Sequence, residues 1–397
     1  MAKALTEIKM LSTALDNWLE EKKMQAKAAY EKEPLPDRTT HLWKYSNPND
    51  FVLTADRSLA TPKKQIHNPA EKELIVADIK VAFESYENLL KKCFGKLISK
   101  TSSKITLLNE AFWNSGYFVY VPKGKSVVNA IGIVSKLNKS ESFYPVRNFV
   151  YLEESSEVKL DEFIHSEDIN NSYSNIVTEI YLEKGSKLTY SVIQDHCNSI
   201  THHHIQRVSL SEDSEFSNTI VSIGAGKSKV DFDVNLNGKG SSASAYGIVL
   251  GNNKQSFDHH IAVSHNAPYT NSNVNFRVAL KDKASSAYTG NLKIAHEAVK
   301  SDAHQENRNL LLSPNAKAES IPELEILTND VTRCNHGVTV GQVDKDQIYY
   351  LMSRGLDEKA AEKIIVEGFL EPTISKILNE KLKQEVLEKI NSKLEKL

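Results

Sequence analysis

Cysteine is scarce: only Cys93, Cys197 and Cys334 occur among 397 residues. An odd, sparse set excludes a secreted disulfide framework as the source of stability and leaves each thiol open to packing or chemistry. Neither charge sign is in excess, with 49 Lys plus Arg against 51 Asp plus Glu and a formal net charge of -2. That balance lacks the basic footprint of a nucleic-acid binder. No apolar run reaches the length of about 18 residues that a membrane span needs, and the first residues lack a signal-peptide apolar region. These absences predict a cytoplasmic chain with no membrane partner. A complete phosphate loop is missing too. Ser222 to Ser228 reads SIGAGKS, but Val221 stands where the first glycine is required, and KVDFDVNL continues with strand periodicity where a helix is needed. The stretch reads as a polar turn. At this length a buried core requires neither metal nor disulfide.

What is present changes character twice along the chain. Leu5, Ile8, Leu11, Leu15, Trp18 and Leu19 recur at helical spacing and predict an amphipathic N-terminal helix, ended by Pro34 and Pro36. Residues 71–100 predict a second helical region, in which Cys93 sits beside Leu89, Leu90 and Phe94 as a small buried hydrophobe. From about residue 105 short runs such as YFVYVP, NIVTEIYLE and NVNFRVAL alternate with Gly, Asn, Ser, Asp and Lys turns. In KVDFDVNL, Val230, Phe232, Val234 and Leu236 share one face and the intervening positions are polar. EKGSKLTY at 183–190 resembles AGKSKVDF at 225–232, and GKGSSASAYG at 238–247 resembles KDKASSAYTG at 281–290. Such units fit stacked β coils or a repetitive sandwich equally well. Beyond them the last stretch is helical, split at Gly355 and near Pro372. Asp344 or Asp346 caps its first helix, and Leu378, Leu382, Val386, Ile390 and Leu394 form a stripe on its last.

Ten of the thirteen histidines lie between His165 and His304. In a strand His202 and His204 share a face while His203 points away, and the expected role for these clusters is at surfaces or corners. HHIAVSH lacks the zinc-hydrolase spacing and its acid, so hydrolysis has little support. A β-helical or cupin-like metalloenzyme using histidine ligands is the alternative these clusters keep open. Asp195, His196 and Cys197 are neighbours whose side chains alternate across a strand, which argues against a direct Cys-His dyad. Cys334 and His336 differ, since two positions apart in an extended segment places both on one face. A thiolate and an imidazole suit borderline metal chemistry, but one pair cannot fill a coordination sphere.

The run ENRNLLLSPNAKAESIPELEILTNDVTRCNHGVTVGQVDKDQIYYLMSRGL, residues 306–356, resembles the C-terminal signature of the SufB/SufD family of iron–sulfur cluster assembly scaffolds. LWKYSNP resembles the family's N-terminal Trp-Lys/Arg-Tyr segment, and DHHIAVSHNAPYTNSNVNFRVALKDKASSAYTG its β-core pattern. Gly337 after the histidine is similar to the SufD-like branch, where SufB-like chains carry an acid. The resemblance implies a right-handed parallel β-helix at 105–335, flanked by an N-terminal helical or mixed domain at 1–104 and a C-terminal helical domain at 336–397. It also implies a non-enzymatic scaffold subunit that joins a SufB-like protein and docks a SufC-like ATPase, the ATP being bound by that partner. No cofactor is expected to stay on the isolated chain. A transient iron–sulfur cluster is expected at the SufB interface, with His336 the leading iron ligand and Cys334 second. Tyr349, Tyr350, Arg354, Gly355, Phe369, Leu382 and Val386 are the partner-binding expectations. A SufB-like homodimeric scaffold is the second alternative, and a homodimer in isolation is compatible with either.

Overall fold

The computed structural model describes residues 18–67, 74–99, 103–377 and 379–395. Leu5, Ile8, Leu11, Leu15 and Leu378, which belong to the predicted helical stripes, lie outside the described residues. The described part of the first helix, α1, covers 18–32. Trp18 and Leu19 pack from it onto a cluster containing Phe83, Phe94 and Trp113.

Nineteen strands among the described residues build a β-solenoid whose coils are parallel from the fourth strand to the nineteenth. They run from β1 (Ser58–Leu59), β2 (Lys63–His67), β3 (Ile75–Asp78), β4 (Tyr117–Val121) and β5 (Ile131–Leu137), through β6 (Ser142–Leu152), to β18 (Lys317–Ile326) and β19 (Arg333–Gln342). Even-numbered strands from β18 down to β4 line up in one sheet, A, and odd-numbered strands from β19 down to β5 in the other, B. From β4 onward each strand pairs in parallel with the one two elements on, so a coil is two strands and two corners. Its length varies from 26 residues, Thr201 to Lys227, to 32 residues, Ser285 to Lys317. The similar turns at 183–190 and 225–232, and at 238–247 and 281–290, are offset by 42 and 43 residues, about one and a half coils. They therefore occupy opposite corners, which makes their spacing irregular in the sequence. The architecture is thus a β-helix flanked by helices, and the sandwich is excluded.

The inward rows make the core. Val230, Phe232, Val234 and Leu236 of β12 (Lys227–Leu236) point inward as their alternation predicts, into a cluster running from Tyr117 to Ala303. Each such side chain contributes roughly 1.5–3 kcal/mol by leaving water. The polar alternates, however, do not face solvent. Lys229, Asp231 and Asp258 are buried beneath two helical turns, His41–Trp43 and Pro48–Phe51, laid over sheet A. Lys229 Nζ donates to the Leu42 carbonyl at 2.8 Å and lies 3.0 Å from Asp231 and 3.1 Å from Asp258, while Ser46 Oγ donates to Asp258 at 2.6 Å. A period-two pattern cannot reveal that a distant segment covers its polar face. LWKYSNP is this cover, with Trp43 ring to ring with His203 at 5.8 Å.

Residues 71–100 are not wholly helical. IVAD forms β3, antiparallel to β4. Only then do α2 (Ile79–Ser85), α3 (Glu87–Cys93) and α4 (Lys96–Ser99) follow, with α5 (Lys104–Phe112) preceding the solenoid. The strand wins because Ile75 to Asp78 extend an existing sheet edge, satisfying backbone groups that a longer helix would have satisfied locally. Cys93 is buried as expected. SIGAGKS is a corner: Ser222 ends one strand and Lys227 starts the next. A Cβ on Gly224 would collide with the His196 backbone, and one on Gly226 with the Asn198 carbonyl, so these glycines allow close backbone crossing.

At the other end of the chain α7 (Glu358–Ile374) and α8 (Glu380–Glu395) lie over sheet B, and α6 (Lys345–Ser353) packs on α7. Asp344 caps α6 by accepting from the Asp346 amide. Gly355, at φ +97°, turns the chain between α6 and α7. Pro372 falls inside the last turns of α7 instead of ending it, and the break comes after Ile374. The outer face of sheet B is apolar where the helices rest: Val221, Ile248 and Leu250 meet Val366, Leu370, Val386 and Ile390. No described helix is long and apolar enough to cross a membrane.

Candidate functional site

The two ends of the solenoid are built differently. At the N-terminal end sheet A finishes on β3 and sheet B on β2, both antiparallel to their neighbours. At the C-terminal end β18 and β19 have a paired strand on one side only among the described residues. Their free edges carry unpaired backbone groups, and Leu324, Ile326, Val338 and Val340 stay between 36 and 48% exposed. Native sheets ordinarily blunt such edges with charge, proline or a covering element; β18 carries Glu319, Pro322, Glu323 and Glu325, whereas Arg333 is the one Lys, Arg, Asp or Glu on β19.

Cys334 and His336 sit on this last strand. The register places Cys334 beside Ala303, His336 beside Gln305 and Val338 beside Asn307. Ala303 belongs to the interior cluster and Cys334 packs against it, so this is the inward row of an unfinished coil. Same-face placement of the pair is thus realised. Cys334 is half-buried, and burial first, then the nearby Asp302 carboxylate, push its thiol above the ordinary range. His336 is exposed because no further coil lies over it among the described residues. The outward row pins the strand down: Arg333 Nε and Nη2 reach Asp302 at 2.9 and 3.2 Å, and His304 Nδ1 lies 2.5 Å from Asn335 Oδ1.

Beneath the pair lies a polar floor that alternation alone does not single out. Gln305 Nε2 donates to the Gly290 carbonyl at 3.3 Å and Gln305 Oε1 accepts from Tyr288 at 3.3 Å. Asn309 Nδ2 donates to Asn307 Oδ1 at 2.8 Å and to the Thr339 carbonyl at 3.0 Å, and Ser320 Oγ donates to Asn307 Oδ1 at 2.7 Å. The available signal is polarity at both parities in QENRN, residues 305–309. This floor fixes β17 (Asp302–Leu311) against β18 and β19 and holds the row that carries His336.

The remaining predicted residues fall into two groups. Tyr349 and Tyr350 are 75 and 57% exposed on α6, and Arg354 lies over the Tyr350 ring at 5.2 Å beside the Gly355 turn. Phe369, Leu382 and Val386 instead pack toward sheet B. Phe369 also accepts a 2.7 Å hydrogen bond from Arg277 through its carbonyl. A groove of about 910 Å³ runs between α6, α7 and the corner at Leu311 to Pro314, with Tyr349 and Met352 on its wall.

The histidines of THHHI and FDHHIAVSH are not at surfaces or corners, whereas His296 is exposed, as expected, at the corner between β16 (Ser285–Ile294) and β17. His202, His204 and His259 are buried in the solenoid interior, while His203 points outward and is buried under the N-terminal cover. Thr178 Oγ1 lies 3.0 Å from His204 Nε2, and Ser222 Oγ 3.0 Å from His259 Nε2. Burial pushes His204 down to about 3 and His259 to about 4. Among the described residues no three His, Cys, Asp or Glu side chains are grouped to hold a metal ion. Serine and threonine partners between strands make these histidines part of the coil stacking.

Comparison with known proteins spans both ends of the solenoid. Residues 135–369 match the family described as SUF system FeS cluster assembly, SufBD core domain, and residues 51–133 match the SufBD protein N-terminal region. The iron–sulfur cluster assembly protein SufD of Bacillus subtilis is 28% identical over 82% of this chain and 75% of its own length. A SufBD family iron–sulfur cluster assembly protein of Pyrococcus horikoshii is 30% identical over 78% of this chain and 69% of its own. The SufB protein of Bacillus subtilis is 27% identical over 75% of this chain and 64% of its own. With the β-helix and the Cys334–His336 strand inside the matched residues, the chain belongs to the SufBD family of iron–sulfur cluster assembly scaffold proteins.

Proposed function

We propose that the chain is a SufD-like subunit of a SufBCD scaffold, without catalytic turnover of its own. A SufB-like protein docks on the uncapped end formed by β18 and β19, and a SufC-like ATPase docks on the C-terminal helices. The observation that carries this reading is the contrast of ends: the chain closes its N-terminal end with its own antiparallel strands and leaves apolar rows bare at the other. Partner strands or side chains would satisfy that edge. The cluster under assembly is cargo at this interface. His336 supplies an imidazole nitrogen from the inward row, Cys334 a second and more buried donor, and the partner the remaining ligands.

Docking of the ATPase draws on exposure of Tyr349, Tyr350 and Arg354 around the Gly355 turn. Leu382 and Val386 serve by holding α8 on sheet B, so the exposed helices move with the solenoid. ATP binding by the partner would then shift the scaffold and open or align the cluster site.

Anaerobic co-expression with SufB-like and SufC-like proteins tests the reading. His336→Ala is expected to keep the complex and assemble less cluster, measured by iron and sulfide content and by the visible spectrum. Full assembly by His336→Ala removes His336 from the site. A homodimer that retains cluster only when both Cys334 and His336 are present would favour the SufB-like scaffold.

A further inference from the structure

We propose that the crevice between α8 and the solenoid corner is a binding site for a small oxyanion, which clamps the last helix onto the coils. The crevice is a cavity of about 380 Å³, within the range of small-molecule sites, and it lies at an interface between elements where such sites form. Lys389 and Lys393 of α8 face Asn252 and Asn253 of the corner across it, with Ser392 and His196 completing the wall. A second cavity of about 410 Å³ shares Asn198 and Asn253 and adds Lys254 and Lys283. The lining is rich in donors and poor in acids. Its carboxylates are Asp195 and Asp282, and both are engaged: Lys389 Nζ lies 2.6 Å from Asp195, and the Asn253 amide donates to Asp282 at 2.8 Å.

Lys393 adds an independent observation. Its Nζ donates to the Ile223 carbonyl, to the Leu250 carbonyl at 2.6 Å and to Gln255 Oε1 at 2.7 Å, all of them neutral acceptors. A buried amine held only by neutral groups has no contacting counter-ion to stabilise its charged form, and an anion nearby would supply one. Burial, opposed by Asp195, holds this ammonium down to about 7, the direction expected where a counter-ion is missing. His196 is 3% exposed, and neither of its ring nitrogens has a hydrogen-bond partner. An oxyanion in the crevice would take hydrogen bonds from Lys389, Asn252, Asn253 and Ser392, and would lie in the field of Lys393.

The test is isothermal titration of the full chain with inorganic phosphate and, separately, with malonate, at ionic strength fixed with sodium chloride. Saturable binding of either is expected, weakened about tenfold by Lys389→Ala or by Asn253→Ala, the loss of one charge-assisted donor or its neighbour. Lys376→Ala, away from the crevice, should leave it unchanged. Phosphate alone, malonate alone or both would each support the site and identify its oxyanion. Absence of saturable binding, or binding unaltered in both crevice variants, would overturn it. Hydrogen exchange adds a second readout: bound oxyanion should slow amide exchange in α8 of the wild type, and no slowing would contradict the clamp.

Discussion

The capped and uncapped ends of the solenoid are made of the same material, parallel coils with apolar inward rows, and differ in how the stack is finished. At the N-terminal end β2 and β3 reverse direction, Val119 in the inward row of β4 is fully buried, and the helical region packs on the outward row at Phe118 and Phe149. At the C-terminal end the equivalent inward row of β19 leaves Val340 48% exposed. The difference teaches that burial here is set by position along the stack more than by residue type. A chain able to finish one end and leaving the other bare is suited to a partner at the bare end.

The largest expected effect compares one substitution at both ends. Val119→Asp places a charge in the sealed core and should cost on the order of 4 kcal/mol or more, abolishing a normal urea transition. Val340→Asp should change stability by no more than about 0.5 kcal/mol. Equal losses at the two sites would mean that the bare end is not bare in solution.

Partner affinity should show the reverse order. Val338→Asp combined with Val340→Asp is expected to weaken binding to a SufB-like protein by about 30-fold, the equivalent of ~2 kcal/mol at an interface anchor. Val128→Asp, 76% exposed near the capped end, should leave affinity unchanged. Loss of affinity from Val128→Asp would move the interface to the other end.

A smaller effect probes the interior between the ends. His204 and His259 are held near 3 and 4 in the folded chain but titrate near the ordinary 6.5 when unfolded. The unfolded state therefore binds more protons as pH falls, so their contribution is present above about 6.5 and is lost from there down to about 4 for His259 and about 3 for His204. From about pH 7 to about pH 6 the unfolding free energy from urea titration should drop slightly, by less than about 1 kcal/mol per histidine. His204→Gln should flatten the profile, and an unchanged slope would contradict interior burial of this imidazole.

Much of the fold and part of the site are legible in the residues. The alternation of Val230, Phe232, Val234 and Leu236 marks an inward row, and the spacing of Cys334 and His336 marks a shared face. Periodicity cannot show what lies over each face. Lys229 and Asp231 read as solvent-facing because the segment that covers them is nearly two hundred residues away, and charges can be buried there only because they find one another. His202, His204 and His259 read as surface groups for the same reason: polarity reports the need for a partner, not its location. IVAD reads as part of a helix because a short edge strand has no periodicity of its own. The exposure of His336 depends on the absence of a next coil among the described residues, a property of the stack that no local pattern encodes.

Whether β18 and β19 form the docking edge is tested most directly by backbone amide hydrogen exchange of the chain, alone and bound to a SufB-like partner. New protection is expected to concentrate in Lys317–Ile326 and Arg333–Gln342, with β2 to β4 unchanged. Protection at the N-terminal strands, with the C-terminal edge exchanging as before, would contradict a docking role for that edge.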